Sequence, residues 1–265
     1  NLKSSKANNT LRAYKADFKD FSAFCSQNGF NSMPTNPKII TLYLTKLSKS
    51  SKFSTLKRRL ASISVIHRLN GHYLDTKHPV ITENLLGIKR AKGTYQIAKK
   101  PILISNLKEI IKVITQDKNE NLKVKNKALV LIGFSGGFRR SELVSIEYED
   151  IEFVTEGVKI FVKRSKTDQS GEGMIKAIPY FENKLFCPVT KLKDWINFIE
   201  IKSGKIFEIS DKSVSLIIKK YASYAGLDPN KYAGHSLRSG FATTTAESGA
   251  EERNIMAMTG HKTTQ

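Results

Sequence analysis

The chain has 265 residues with 44 Lys and Arg against 24 Asp and Glu, a formal net charge of +20 and a pI of about 9.8, and an excess of that size calls for an anionic partner. A hydrophobic content of 40% at this length supports one large or two ordinary domains with proper cores and excludes a mostly disordered chain. Cys25 and Cys187 stand in no CxxC or Cys/His spacing, which excludes a disulfide framework or zinc module and suits a reducing cytoplasm. No apolar run reaches the length of a membrane span or a secretory signal.

Residues 1–100 hold 19 Lys and Arg against four acids, leaving 25 against 20 for the rest, so the charge itself marks two functional halves. Opening on Asn1 rather than Met, the chain is expected to be a piece of a longer protein. The first half reads as helices. Leu11, Tyr14, Phe18, Phe21 and Phe24 recur every three or four residues after a cap at Asn9 or Thr10, predicting one amphipathic helix that ends near Gly29. Its apolar stripe needs partners, and the same periodicity supplies them over Pro37 to Leu47, Ser54 to Asn70 and roughly Val80 to Ile88, together a small helical bundle.

Lys57, Arg58 and Arg59 crowd the first turns of the third helix, where positive charge opposes the helix dipole, and Lys89, Arg90, Lys92, Lys99 and Lys100 follow. A merely solvated face is the plain alternative, but with the chain-wide excess these eight are the candidate DNA contacts. Ala91 to Pro101, with Gly93 and a closing proline, reads as a connector, giving a helical DNA-binding domain over 1–92, a linker over 93–103 and a second domain over 104–265.

The second half is mixed. Helical patterns at Asn106 to Thr115 and Lys123 to Phe134 lead to the break Ser135-Gly136-Gly137 and a short helix through Leu143. Val158 to Arg164 and Met174 to Pro179 flank a glycine-containing polar tip and read as a hairpin. Helices return after Pro188, around Leu192 to Ile199, Ser213 to Tyr224, Ser236 to Ser248 and Glu251 to Met258. The fold class expected is mainly α with a small antiparallel sheet (α+β).

His235-Ser236-Leu237-Arg238 opens one of these helices, and residues three apart share a face, so imidazole and guanidinium can address one ligand. An HxxR alone recurs by chance. Upstream, Gly137-Phe138-Arg139-Arg140-Ser141-Glu142-Leu143 sets an arginine at the mouth of a helix, a ready anion site, with a simple Arg139–Glu142 ion pair as the alternative. Lys166 lies at the end of the first hairpin strand, and His261 follows Thr259-Gly260. Two arginines, two histidines and a lysine suit phosphoryl chemistry without a metal: guanidinium groups bind phosphate oxygens bidentately and stay charged, and a lysine or histidine can protonate a leaving oxygen. No cluster of carboxylates for two metals accompanies them.

At this point the sequence resembles the tyrosine recombinase family, the bacterial and phage integrases, through GFRRSEL, the hairpin RSKTDQSGEG with IPY, CPVTKLKDW, GHSLRSGFATTTAESGA and IMAMTGHKTTQ. The resemblance implies a helical core-binding (SAM-like) first domain and a catalytic second domain, the two closing as a clamp round double-stranded DNA. It also implies four protomers on two paired sites, no cofactor, and a bacterial, cytoplasmic, DNA-associated setting. By the resemblance Arg139 and Arg238 clamp the scissile phosphate, Lys166 is general acid to the leaving 5′ oxygen, His235 assists proton transfer, His261 holds a phosphate oxygen and Glu142 supports them. Arg140 competes with Arg139, and Lys163 and Lys176 are weaker rivals of Lys166.

In one respect the chain departs from the family. The family's nucleophilic tyrosine follows shortly after the Gly-His pair, whereas this chain stops at Gln265, four residues after His261. The expectation is therefore a chain truncated before its nucleophile, with a catalytic domain incomplete at its C-terminus, able to bind DNA and unable to cleave it. Tyr232 is expected to pack beside the start of the His235 helix. The alternatives are a non-catalytic DNA-binding or architectural module and type IB topoisomerase-like strand relaxation. An RNA-binding protein is disfavoured by the lack of an aromatic RNP-like strand.

Overall fold

The computed structural model describes residues 8–93, 98–163, 173–251, 253 and 258–259, and divides the chain into two units, Asn1–Ile97 and Ala98–Gln265. The architecture is mainly helical with one small antiparallel sheet. Among the described residues no helix is long and apolar enough to cross a membrane.

In the first unit four helices, α1 (Asn8–Gln27), α2 (Pro37–Ser48), α3 (Phe53–Leu69) and α4 (Pro79–Lys92), bury the stripes that the spacing predicts. Phe21, Phe24 and Cys25 of α1, Ile40, Tyr43 and Leu44 of α2, Leu56, Leu60 and Ile63 of α3 and Ile81 of α4 form one core. Asn36 fixes the start of α2 by accepting the Ile39 N–H at 3.1 Å, with Pro37 in the first turn where no amide is needed. The last helix runs to Lys92, past the expected end near Ile88, so Ala91 and Lys92 are helical rather than part of a connector.

Two of the basic residues assigned to DNA are occupied otherwise. Asp17 is buried on α1, and its carboxylate takes the Arg58 Nη1 at 2.5 Å, the Arg59 Nε at 3.3 Å and the Ser62 hydroxyl at 2.7 Å, while Arg59 also reaches Asp20 at 3.2 Å. A buried carboxylate is tolerated only with such partners. Arg58 and Arg59 thus staple α3 to α1 through a residue 41 or 42 positions earlier, so part of their charge is already answered within the bundle. Because both guanidinium groups keep some access to water, Asp17→Ala is expected to lower unfolding free energy by about 1–3 kcal/mol. Urea denaturation followed by circular dichroism checks this, and an unchanged midpoint would remove the staple.

The second unit packs α5 (Ile104–Thr115), α6 (Glu120–Ser135), α8 (Pro188–Ile199), α9 (Asp211–Tyr224) and α10 (His235–Glu247) with the one-turn α7 (Arg140–Leu143) and a sheet. The sheet is β1 (Ile151–Val154), β2 (Gly157–Val162) and β3 (Met174–Pro179), in order β1-β2-β3, all antiparallel. The hairpin is β2 and β3, whose pairing closes at Val162 opposite Met174. A nearly continuous buried run, Ala128 to Phe134, puts α6 at the centre of the core.

Part of the segment expected as a linker is tied into this unit. The Lys100 N–H donates to the Lys231 carbonyl at 2.7 Å, the Ile102 N–H donates to the Ser236 carbonyl at 3.0 Å, and Ile102 is fully buried. Most of the helix expected over Glu251 to Met258 lies outside the described residues.

Candidate active site

The site grows from the end of α6. Gly137 holds φ at 55°, a left-handed conformation that glycine adopts without strain, and turns the chain so that Phe138 is buried and Arg139 stands at the N-cap of α7. Glu142, with a side chain only 1% exposed, closes that turn: the Arg139 backbone N–H donates to its Oε2 at 2.9 Å and the Arg139 Nη1 donates to its Oε1 at 2.7 Å. The ion pair offered as the plain alternative is therefore present. The Arg139 amide is thereby given to Glu142, and α7 is a single turn.

Arg238 meets this turn from α10. The residue is 1% exposed and its Nη1 donates to the Gly137 carbonyl at 2.9 Å, whereas Nε and Nη2 are buried without a hydrogen-bond partner among the described residues. An unpartnered buried donor is costly, and two on one guanidinium mark a position that an anionic ligand satisfies. Burial first and the Arg139 charge second, partly offset by Glu142, lower its pKa to about 10, so the group stays cationic at neutral pH.

His235, one turn earlier on α10, is an exposed residue within electrostatic reach of the same arginines. Desolvation by burial and the charges of Arg238, Arg139 and Arg140 lower its pKa. The imidazole of the empty site is therefore neutral at neutral pH and can take a proton once an anion offsets those cations.

Lys176 is the group that the sequence undervalued. It is fully buried on β3, and its Nζ donates to the Gly136 carbonyl at 2.7 Å and also to the Met258 carbonyl, lying 4.9 Å from the centre of the Phe138 ring. Burial is the largest influence lowering its pKa, to about 8, with Glu142 opposing and Arg238 and Arg139 assisting. The alternation along β3 carries the signal, since Lys176 shares the inward register with Ile178 while Ile175 and Ala177 face out.

The rivals separate. Lys163 is half-exposed and ion-paired with Glu147 and, at 3.0 Å, with Asp150, which raise its pKa. Arg140 lies 3.7 Å from Asp211, its stem so close to Gly234 that a Cβ there would meet Arg140 Cδ at 2.0 Å. Tyr232 is buried in the core, as expected. Lys166 and His261 lie outside the described residues.

In the first unit Lys57, Lys89 and Lys92 share a cleft of about 590 Å³ with Lys49 and Lys52, two lysines that the sequence reading passed over. Arg90, Lys99 and Lys100 are exposed, and the Lys99 ammonium donates to the Asn230 carbonyl. Among the described residues no three His, Cys, Asp or Glu side chains are grouped as a metal set.

Comparison with known proteins places these features in company. The profile of the Phage integrase family matches residues 104–265. An integrase/recombinase xerD homolog of Selenomonas ruminantium is 41% identical over 276 residues, which cover 98% of this chain and 80% of that protein. The XerD tyrosine recombinase of Rickettsia bellii is 25% identical over 96% of this chain and 84% of its own. Among solved structures, the XerH recombinase bound to its difH substrate after cleavage superposes with a TM-score of 0.70 at 16% identity, over 96% of this chain and 73% of that one. A lambda integrase tetramer on a Holliday junction superposes with a TM-score of 0.62 at 17% identity, over 97% and 73%.

Proposed function

Since the chain belongs to the phage integrase family, we propose that it is a site-specific tyrosine recombinase that cuts and rejoins duplex DNA through a 3′-phosphotyrosyl intermediate. The observation that carries the reading is the pair of unpartnered Arg238 donors beside the Arg139–Glu142 pair. Three buried or nearly buried cations, Arg139, Arg238 and Lys176, face one carboxylate, Glu142. That surplus suits a phosphodiester and, better, the pentacoordinate phosphorane of its displacement, where the charge is greater. Arg139 and Arg238 hold its non-bridging oxygens, His235 moves a proton as the charge changes, and Lys166 and His261 take the roles that the family motif gives them.

The attacking group is a tyrosine hydroxyl. It displaces the 5′ oxygen and stores the bond energy in a phosphotyrosyl ester, so a partner strand's 5′ hydroxyl can reseal the break without ATP. Three tyrosines of the second unit are engaged elsewhere: Tyr221 donates to Asp117 at 2.6 Å, Tyr180 accepts from Lys193 and Tyr232 is in the core. We assign the nucleophile to none of them. The solved XerH and lambda integrase chains are bound to DNA, the latter as a tetramer on a Holliday junction, and we extend to this protein a tetramer on two paired duplex sites.

The test incubates nicked duplexes from the ends of the parent element with this 265-residue chain and, in parallel, with the full-length product of its gene, and scores SDS-stable protein–DNA adducts. An adduct from the full-length product supports the recombinase. Duplex binding with no adduct from either favours an architectural module, and relaxation of supercoils without sequence preference favours a topoisomerase.

We place the DNA backbone of the first unit's half-site along the lysine cleft. Replacing Lys57, Lys89 and Lys92 together by alanine is expected to flatten the log–log dependence of affinity on salt by about 0.9 for each phosphate that is no longer neutralised. Anisotropy titrations over a salt series read it, and an unchanged slope removes the cleft from the interface.

A further inference from the structure

We propose that Lys176 is a positioning residue for strand cleavage, whose buried ammonium ties the Gly136 carbonyl, three residues before Arg139, to the Met258 carbonyl, three residues before His261. The inference rests on the reading of Arg139 and Arg238 as the phosphate clamp. Its own basis is geometric. The ammonium gives one N–H to Gly136 and one to Met258, and the Phe138 ring face covers it at 4.9 Å. The next carbonyl, that of Gly137, takes Arg238 Nη1 at 2.9 Å. Two successive carbonyls of one turn are thus each pulled onto a buried cation, which sets the orientation of the turn that delivers Arg139.

A residue kept for stability alone has little reason to be lysine here. Among the described residues no carboxylate touches the ammonium, its bonds go to neutral carbonyls, and an apolar side chain of the same length fills the same space without the desolvation cost of a charge. What lysine adds is a bridge between two carbonyls, one 40 residues before it and one 82 residues after it, that no apolar side chain makes. Among the described residues the groups facing it are the Gly136 and Met258 carbonyls, the Phe138 ring, the Glu142 carboxylate and the Arg139 and Arg238 guanidinium groups. Glu142 favours its charged form, while burial and the two arginines lower its pKa to about 8. In the free enzyme the bridge is therefore charged at neutral pH and neutral in mild alkali. A neutral amine still donates, but bonds from a charged donor are roughly twice as strong. Loss of the proton consequently weakens the bridge without abolishing it.

The experiment uses the full-length gene product and single-turnover cleavage of a nicked suicide duplex at subsaturating concentration, which reports the free enzyme. Wild type is expected to slow as pH rises through about 8 and to settle on a lower plateau rather than fall to zero. Lys176→Met is expected to melt no lower than wild type and to bind duplex within about twofold. It should cleave roughly 10- to 100-fold more slowly, the scale of a reacting group displaced by about 1 Å, with the alkaline step gone. Lys176→Arg restores a permanent charge and is expected to recover rate at high pH. Wild-type cleavage by the methionine variant overturns the proposal, as does an alkaline step that survives in it. If the methionine variant does not fold, wild type and the arginine variant decide: a flat wild-type profile, or the same step in both, overturns it. Arg238→Ala runs alongside. Should that variant cleave normally, the phosphate clamp itself has failed; should only the Lys176 variants do so, the clamp stands and the bridge falls.

Discussion

Arg238→Lys in the full-length product is expected to slow single-turnover strand cleavage by about 10²–10³-fold while leaving duplex affinity nearly unchanged. The guanidinium has two duties. Its Nη1 holds the Gly137 carbonyl at 2.9 Å, and its Nε and Nη2 remain for the ligand. An ammonium on a shorter, flexible stem cannot present that planar fork, so it satisfies one acceptor and abandons the other. The missing donors act where charge builds in the phosphorane, so the loss falls on the chemical step rather than on binding, which the many backbone contacts along the duplex dominate. Gel quantification of the covalent adduct against time, with anisotropy for affinity, separates the two. Equal losses in rate and affinity would make Arg238 a binding residue only.

The second large effect is structural. Glu142→Ala is expected to destabilise the second unit by about 3–5 kcal/mol, the usual cost of removing one member of a buried pair. Its carboxylate is the partner of both the Arg139 backbone and its guanidinium, and among the described residues it is the anion that opposes Arg238 and Lys176. Without it three cations face each other and the α7 turn loses its cap. Glu142→Gln keeps the shape and the amide acceptor, so it is expected to fall in between. It should also lower the Lys176 pKa further, since Glu142 is what favours the charged ammonium. Urea unfolding of both variants reads the stability, and equal midpoints for wild type and the alanine variant would show that the pair is dispensable.

Much of this was legible in the chain because it is local. Phe21, Phe24, Leu56, Leu60 and Ile63 announce their helices by spacing, and Arg139 with Glu142 three residues on is a pair that any helical turn brings together. The harder features depend on partners distant in sequence. The residues around Arg58 and Arg59 do not say that Asp17, buried on another helix, pairs with both. Strand β1 escaped because Ile151-Glu152-Phe153-Val154 alternates neither in polarity nor in burial. Lys176 was readable in part, as the polar member of an inward register, but the carbonyls that receive it come from a turn 40 residues earlier and a segment 82 residues later. The sequence around Lys57, Lys89 and Lys92 likewise does not say that Lys49 and Lys52 join them in one cleft.

Those separations have a consequence during synthesis. The Arg238 to Gly137 hydrogen bond spans 101 residues and the Lys176 to Met258 hydrogen bond spans 82, and both wait for residues translated long after the first unit. While the ribosome is still working through α10, the lysine cleft of the first unit is already translated and its bundle has all its partners. A nascent chain can therefore complete the bundle of the first unit before it completes the hydrogen bonds that orient Arg139, Arg238 and Lys176.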